Sequence, residues 1–165
     1  MQIFCIFFII ISTNGEKRFE KIEKCNSSGK TSQVVRCDIA DGALNLIGEI
    51  IKPLKYLNQT FCFFISSNGK FRKISDCLKM NWCDVTDPKF SLNPFQMKVI
   101  KMLKVGAKQL FKPCPIAPER IELINYRVNE EYLKFLPRGV VKGTAHFFND
   151  EDENVFTMIG YLVFT

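Results

Sequence analysis

Residues 61–77 read Phe-Cys-Phe-Phe-Ile-Ser-Ser-Asn-Gly-Lys-Phe-Arg-Lys-Ile-Ser-Asp-Cys. At the centre of this segment, Asn68-Gly69 separates two runs that are rich in Phe and Ile. Asn-Gly between two apolar runs is the strongest short-range signal for a β-hairpin, because both residues tolerate the positive φ angles of a tight turn. The segment therefore predicts two antiparallel strands, at 61–66 and 71–77.

Alternating or continuous apolar patterns on both sides of this hairpin predict more strands. Turn-prone residues separate these runs at regular intervals, which is typical of two packed antiparallel sheets. A chain of 165 residues fits one domain. The predicted fold class is thus mainly β: a two-sheet β-sandwich with about seven or eight strands, in a single domain over residues 16–165. The remaining predicted strands are 16–25, 32–39, 43–57, 120–128, 140–148 and 155–165.

One segment changes from a strand period to a helical period. Between Pro94 and Lys112, apolar residues and lysines recur at steps of three and four on opposite sides. Asn93 is placed to cap the first turn, and Pro113 to end the last. This predicts one amphipathic helix near residues 94–112. Its basic face is expected to be solvated or to contact a membrane or a partner, and consists of Lys98, Lys101, Lys104 and Lys108.

The pattern of apolar residues at the N-terminus predicts a targeting signal. Residues 3–11 are uninterrupted apolar residues, far fewer than the roughly 20 that a membrane-spanning helix needs. Such a run matches the core of a signal peptide, and the small residues Thr13 and Gly15 favour cleavage after Gly15. We predict a signal peptide over residues 1–15 and a secreted, extracellular protein. A buried N-terminal strand is the alternative.

The cysteine count agrees with secretion. Cys5 leaves with the signal peptide, and an even number of cysteines in a secreted chain predicts a disulfide framework whose connectivity stays open. A zinc site is not expected, because the chain has no Cys-x-x-Cys and only one histidine. Two sequons, at Asn26 and Asn58, predict N-glycosylation. The predicted disulfide cysteines are Cys25, Cys37, Cys62, Cys77, Cys83 and Cys114.

The sequence has no recognisable catalytic constellation. His146 stands alone in an alternating strand, and neither a Gly-x-Ser-x-Gly elbow nor a phosphate loop is present. The acidic run 150–153 lacks the spacing of a calcium loop. We therefore predict a binding protein rather than an enzyme, without catalytic residues, metal or cofactor. The net charge of +6 suits an anionic surface, but secretion argues against nucleic acid.

The high content of apolar residues also bears on function. Hydrophobic residues make up 47% of the chain, which contains 16 Phe. Facing sheets with such side chains form a packed core, or a ligand cavity if the sheets splay apart, and the pattern leaves both open. The residues predicted to line a cavity are Phe61, Phe63, Ile65, Leu103, Leu110, Phe147, Phe156 and Leu162.

The order of several short motifs along the chain resembles that of a known family. Asp76-Cys77 follows the hairpin, and Cys114-Pro115-Ile116 and then Leu136-Pro137-Arg138-Gly139 follow the predicted helix. In this order and spacing, roughly from Lys24 to the end, the chain resembles a family of insect secreted proteins that includes the CheA and CheB chemosensory proteins. That family in turn resembles the ganglioside-activator protein and the ML lipid-recognition proteins.

This resemblance implies a β-sandwich cup that accepts a lipid between its sheets, with the helix near the rim. It matches Cys25 with Cys37, and Cys77 with Cys114, which leaves Cys62 and Cys83 for a third bridge. Cys77 with Cys83 is the local alternative.

We expect a secreted carrier of a lipid or other small apolar ligand, in a chemosensory or lipid-transfer role. The cavity should measure roughly several hundred cubic ångströms. Two other functions stay open: an extracellular interaction or co-receptor module that binds a receptor, and a basic protein that acts on membranes through its lysine-rich helix.

Overall fold

The structure, a computed structural model, describes residues 17–87, 89, 91–106, 108, 111–128 and 138–164, with the backbone alone at 95, 99, 102, 103 and 106. The signal peptide predicted at 1–15 lies outside these residues. Over the described ranges the elements are β1 Lys17–Asn26, β2 Ser32–Ala40, β3 Ala43–Ile50, β4 Asn58–Ser67, β5 Lys70–Lys73, β6 Leu78–Asn81, α1 Trp82–Thr86, α2 Pro94–Gly106, β7 Glu119–Tyr126, β8 Gly139–Phe148 and β9 Asn154–Phe164.

Two antiparallel sheets form the predicted sandwich. The larger sheet has the order β1-β9-β8-β4-β5, and β6 pairs with β4 beyond the end of β5. The smaller sheet has the order β2-β3-β7. The fold is therefore mainly β, as the alternating patterns predict. It contains more strands than predicted, because the short strand β6 carries too few residues to show a period.

Two tight turns set the hairpins. The predicted β4-β5 hairpin is confirmed, with Asn68 and Gly69 at φ angles of 51° and 74°. The β2-β3 hairpin turns at Asp41 and Gly42, with φ angles of 50° and 72°. Asx-Gly pairs with both φ angles positive match the right-handed twist of the strands that they join. Gly42 also lies so close to β1 that an added Cβ would be 2.8 Å from the Cβ of Arg18.

The third strand is shorter than predicted. The sequence predicts a strand over 43–57, whereas β3 ends at Ile50. Beyond it, the backbone N–H groups of Ile51 and Lys52 both point to the carbonyl oxygen of Thr31, at 2.8 Å and 3.3 Å. Pro53 then follows without an N–H to continue the ladder.

The helical region also differs from the prediction. The predicted helix 94–112 begins at Pro94, and its described part, α2, extends to Gly106; residues 107, 109 and 110 lie outside the described part of the chain. Asn93 caps it: its Oδ1 accepts from the N–H of Gln96 at 2.8 Å, and Gln96 Oε1 accepts in return at 3.0 Å. A second, short helix, α1, occupies part of the predicted connection after the hairpin.

The described chain contains three disulfides, Cys25–Cys37, Cys62–Cys77 and Cys83–Cys114. The first confirms the pairing that the resemblance implies. The implied pairs Cys77–Cys114 and Cys62–Cys83, and the local alternative Cys77–Cys83, are wrong. The β4-β5 hairpin brings the Cα atoms of Cys62 and Cys77 to 4.5 Å, and α1 brings those of Cys83 and Cys114 to 5.4 Å, both within disulfide range.

The sandwich is tied together along one edge and filled at its other end. At the tied edge, Cys25–Cys37 joins β1 to β2, and the N–H of Phe19 donates to the carbonyl of Gly42 at 3.0 Å. The main hydrophobic core lies where the helices meet the sheets. It contains Leu54, Leu57, Leu78, Met80, Trp82, Val85, Ile100, Ile116 and Val155.

Candidate functional site

An apolar cavity of about 140 Å³ lies between the two sheets, beside the main core. The smaller sheet forms one wall and the larger sheet the other, while residues from the connections close the end. The smaller sheet contributes Val34, Leu46, Gly48, Ile50 and Ile121. The larger sheet contributes Phe147, Val155 and Phe156, and the closing residues are Leu57, Trp82 and Ile116.

Strand alternation places the smaller-sheet wall. Residues two apart in a strand share a face, so Leu46, Gly48 and Ile50 of β3 all face inward. The cross-strand partners of Gly48 are Val34 and Ile121, which line the cavity too. A Cβ added at Gly48 would meet only the carbonyl oxygen of Gln33 within 4 Å, at 3.6 Å. Gly48 therefore leaves open space that most side chains would fill.

Aromatic rings build the opposite wall. Trp82, the only tryptophan of the chain, is 2% exposed. Its ring centroid lies 4.6 Å from that of Phe111 and 6.2 Å from that of Phe147. Phe147 in turn lies 5.9 Å from Phe156 and 5.6 Å from Phe61. These tilted and edge-on arrangements favour a wall of fixed shape.

One disulfide holds the closed end. Cys83 directly follows Trp82, and Cys114 lies two residues before Ile116, so their bond links the two segments that close the cavity. Leu54 and Ile116 also exchange two backbone hydrogen bonds of 2.9 Å. The disulfide and the backbone hydrogen bonds thereby hold Trp82 and Ile116 in position without occupying the cavity.

Polar groups lie at the edges of the cavity and are paired with one another. Glu49 accepts from Gln33 Nε2 at 2.5 Å and from Arg120 Nη1 at 3.2 Å. Glu119 forms an ion pair with Lys112. Both wall carboxylates that the structure describes thus have cationic partners. An interior free of unpaired charge suits an uncharged apolar guest.

The structure brings together only some of the residues predicted to line a cavity. Phe147 and Phe156 lie in the wall, and Phe61, which does not line the cavity, contacts Phe147 edge-on from the same face of the sheet. Phe63 and Leu162 instead contact the buried Val141 and Phe164 at the far end of the sandwich, where Ile65 also pairs with Val141. The Leu103 side chain and the whole of Leu110 lie outside the described part of the chain.

Several wall residues were missed by sequence reasoning. Trp82 begins the five-residue helix α1 and Ile116 lies between α2 and β7; neither segment is long enough to show a period, so their inward position had no local signal. Leu46, Gly48 and Ile50 did show alternation on one face, but the pattern does not reveal which face meets the other sheet across a gap.

The lysines of the basic helix face all reach solvent. Lys98, Lys101, Lys104 and Lys108 are exposed, and the Nζ atom of Lys104 lies 5.4 Å from the ring centroid of Phe111. On the inner side of α2, Ile100 is 3% exposed and belongs to the main core together with Trp82. The helix therefore packs on the closed end of the cavity and turns its charges outward.

Three other predicted residues have clear surroundings. Asn26 is exposed at the end of β1. Asn58 is half-buried at the start of β4, between Asn81 and Phe148 in the ladder. His146 lies half-buried in β8 with its Nδ1 atom 3.2 Å from the Thr157 hydroxyl. Within the described ranges, no three His, Cys, Asp or Glu side chains are grouped to hold a metal.

One resolved pKa shift lies at the cavity edge, where hydrogen bonds to Glu122 and Glu49 raise the pKa of Arg120; others lie away from it. On the outer face of the larger sheet, Glu23 accepts hydrogen bonds from the Tyr161 hydroxyl and from Lys142 Nζ. These bonds hold the pKa of Glu23 below its ordinary value of 4.5 and raise the pKa values of Lys142 and Tyr161. Burial raises the pKa of Tyr126, which packs on Phe19.

Fold and cavity define a disulfide-linked β-sandwich with a small apolar chamber between its sheets. The chamber is smaller than the predicted several hundred cubic ångströms, because Trp82, Phe147 and Val155 fill much of the gap between the sheets. Among the described helices, none is long and apolar enough to cross a bilayer.

Comparison with solved structures gives distant likenesses. No protein-family model matches the chain, and no curated protein matches it. One similar solved structure is chicken MD-1 complexed with lipid IVa, with 14% identity, a TM-score of 0.38, and coverage of 91% of this chain and 98% of that one. Another is a Niemann-Pick type C2 protein from Japanese carpenter ant, with 11% identity, a TM-score of 0.31, and coverage of 91% and 93%.

At these TM-scores, neither neighbour tells what this chain binds. The relationship to the insect chemosensory family stays a prediction.

Proposed function

We propose that this chain is a secreted binding protein for a lipid or another small apolar ligand, held between its two sheets. The observation that supports this proposal is the chamber itself, with apolar side chains from both sheets and Trp82 at its closed end. Ligand sites are commonly such apolar concavities with a few polar groups at fixed positions.

The size of the chamber limits the ligand. A volume of about 140 Å³ is below the roughly 300–1,000 Å³ that is usual for drug-sized ligands. The enclosed part is therefore a small apolar molecule or one segment of a longer chain. The remainder of a longer ligand would pass the paired polar groups of Gln33 and Glu49.

Secretion belongs to the same proposal. Three disulfides fit an oxidising compartment. Residues 1–15 would be removed as a signal peptide, and Asn26 and Asn58 would carry glycans. A chemosensory or lipid-transfer role, with a receptor as partner, is the finer form of this proposal.

Native mass spectrometry of the oxidised protein, secreted from eukaryotic cells, tests the binding function. We expect an apolar molecule to accompany the folded protein at near one per chain and to be recovered by organic extraction. Trp82 supplies a second readout, because the bromine of a small apolar probe such as bromohexane quenches a tryptophan at contact. A protein that is empty and whose Trp82 emission is quenched no more than free tryptophan would contradict the proposal.

A second candidate, binding to an anionic membrane, rests on the outer side of α2. Met97 and Val105 are 43% and 54% exposed there, Lys101 is exposed on the same helix, and Lys108 is exposed two residues beyond it in the chain. Apolar residues next to lysines favour the interface of an anionic bilayer. We expect salt-sensitive binding to phosphatidylserine vesicles, weakened in a Lys101→Gln, Lys108→Gln variant. Equal binding to phosphatidylcholine vesicles would contradict it.

A further inference from the structure

Two buried side chains have polar atoms without a hydrogen-bond partner among the described residues, the hydroxyl of Thr31 and the amide of Gln59. Gln59 in β4 is 1% exposed, and neither Nε2 nor Oε1 finds a donor or acceptor among the described residues. Leaving a buried donor or acceptor unpaired destabilises a protein, because the group loses its hydrogen bonds to water and gains none in return. Gln59 leaves two unpaired, on a face otherwise built from Leu, Met and Phe.

Gln59 belongs to the same layer as the wall of the chamber. It pairs directly with Phe147 on one side and with Met80 on the other, and directly opposed residues of an antiparallel ladder share a face. Leu57 comes two residues earlier along the chain, and both Leu57 and Phe147 line the chamber. Gln59 is itself not among the residues that line the chamber, so a ligand group would reach its amide by passing between these two side chains.

We infer that Gln59 is a specificity-determining residue of the chamber, and that the ligand carries one uncharged group that both donates and accepts a hydrogen bond. This inference rests on the proposed function. A primary amide presents a donor and an acceptor side by side. An alcohol hydroxyl or an un-ionised carboxylic acid satisfies both, whereas a carboxylate only accepts and a hydrocarbon does neither.

Charge on the ligand is disfavoured at this position. The ladder partners of Gln59 are the apolar residues Met80 and Phe147, and transfer of an ionised group into such surroundings is strongly unfavourable. The ligand class is thus an apolar molecule with a neutral polar end directed inward, such as an alcohol.

The matched pair hexanol and heptane tests this assignment, because the two molecules have the same number of non-hydrogen atoms. Each is titrated as a competitor that displaces bromohexane and restores Trp82 emission, in the wild type and in Gln59→Met. Methionine resembles glutamine in length and leaves the Asn58 sequon intact. We expect the hexanol-to-heptane affinity ratio to fall by about tenfold in the variant, the loss of roughly one net hydrogen bond, with heptane affinity kept or raised.

A second measurement needs no variant. The side-chain NH₂ group of Gln59 gives its own pair of signals in ¹H–¹⁵N NMR spectra. We expect hexanol to shift these signals downfield and heptane to leave them nearly in place.

The outcomes separate this inference from the proposed function. If both probes bind but the affinity ratio is equal in the two proteins and the Gln59 signals respond alike, the inference is wrong and the apolar site stands. If neither probe relieves the quenching because bromohexane itself does not bind, the proposed function fails.

Discussion

Replacing Gly48 by valine should fill the chamber while strengthening the fold. Gly48 faces inward from β3, and its added Cβ would meet only the Gln33 carbonyl at an ordinary contact distance of 3.6 Å. Its φ angle lies outside the left-handed region, so valine fits the backbone without strain. The isopropyl group would therefore occupy space that the ligand otherwise uses.

The magnitude follows from the carbon groups displaced. Valine takes the room of about three carbon groups of a ligand, and each contributes about 0.8 kcal/mol when buried. Affinity should fall by about 2.4 kcal/mol, or roughly fiftyfold. Stability should rise by about 1–2 kcal/mol, because an apolar group is buried and glycine is an unfavourable strand residue. A loss of ligand affinity together with a gain in the free energy of unfolding is what a filled cavity predicts.

Bromohexane quenching of Trp82 gives the affinity, and urea unfolding gives the free energy of unfolding. Gly143→Val is the matched control. Gly143 also faces inward but lies near Phe63, at the other end of the sandwich. We expect wild-type affinity in this control. A folded Gly48→Val protein with wild-type affinity would show that the ligand binds elsewhere.

Three further changes are predicted. Replacing Cys83 and Cys114 by alanine should lower the free energy of unfolding by about 3–4 kcal/mol and weaken bromohexane binding, because both flank the closing residues. Gly42→Ala should destabilise the fold by about 1–3 kcal/mol in urea unfolding, through its positive φ and the Arg18 contact. Glu23→Gln should be less stable than the wild type at neutral pH, because the hydrogen bonds that lower the pKa of Glu23 stabilise its charged form in the folded protein. That advantage should vanish in acid unfolding as the pH falls below 4.5.

Each of these changes has its own control. Replacing Cys62 and Cys77, which do not border the chamber, should reduce stability but leave bromohexane affinity intact. Gly69→Ala shares the positive φ of Gly42 without a neighbour within 4 Å, so equal losses at both sites would exclude the Arg18 contact. A wild-type advantage over Glu23→Gln that persists in acid would argue against the hydrogen bonds of Tyr161 and Lys142 as its source.

Local sequence signals predicted much of the fold. Asn68-Gly69 specifies a turn by its own backbone preferences, and Asn93 with Gln96 caps α2 through neighbours in sequence. The class of two packed antiparallel sheets follows from the alternation in their strands. Asp41-Gly42 carries the same turn signal and marks a hairpin that went unrecognised.

The chamber and the disulfide pairing depend on distant contacts and had weaker signals. Cys83 reaches Cys114 only because α1 folds next to the segment before β7. Whether Phe63 or Phe147 faces a cavity depends on where the sheets separate, and both have the same alternating pattern. The 1% exposure of Gln59 contradicts its polarity, so sequence alone gave no reason to select it.

Intermolecular nuclear Overhauser effects between bound hexanol and isoleucine methyl groups test the binding site most directly. Ile50, Ile116 and Ile121 line the chamber, whereas Ile124 is 54% exposed on β7. We predict contacts from hexanol to the first three methyl groups and none to Ile124. Contacts to Ile124, or to no isoleucine while hexanol is bound, would contradict a ligand held between the sheets.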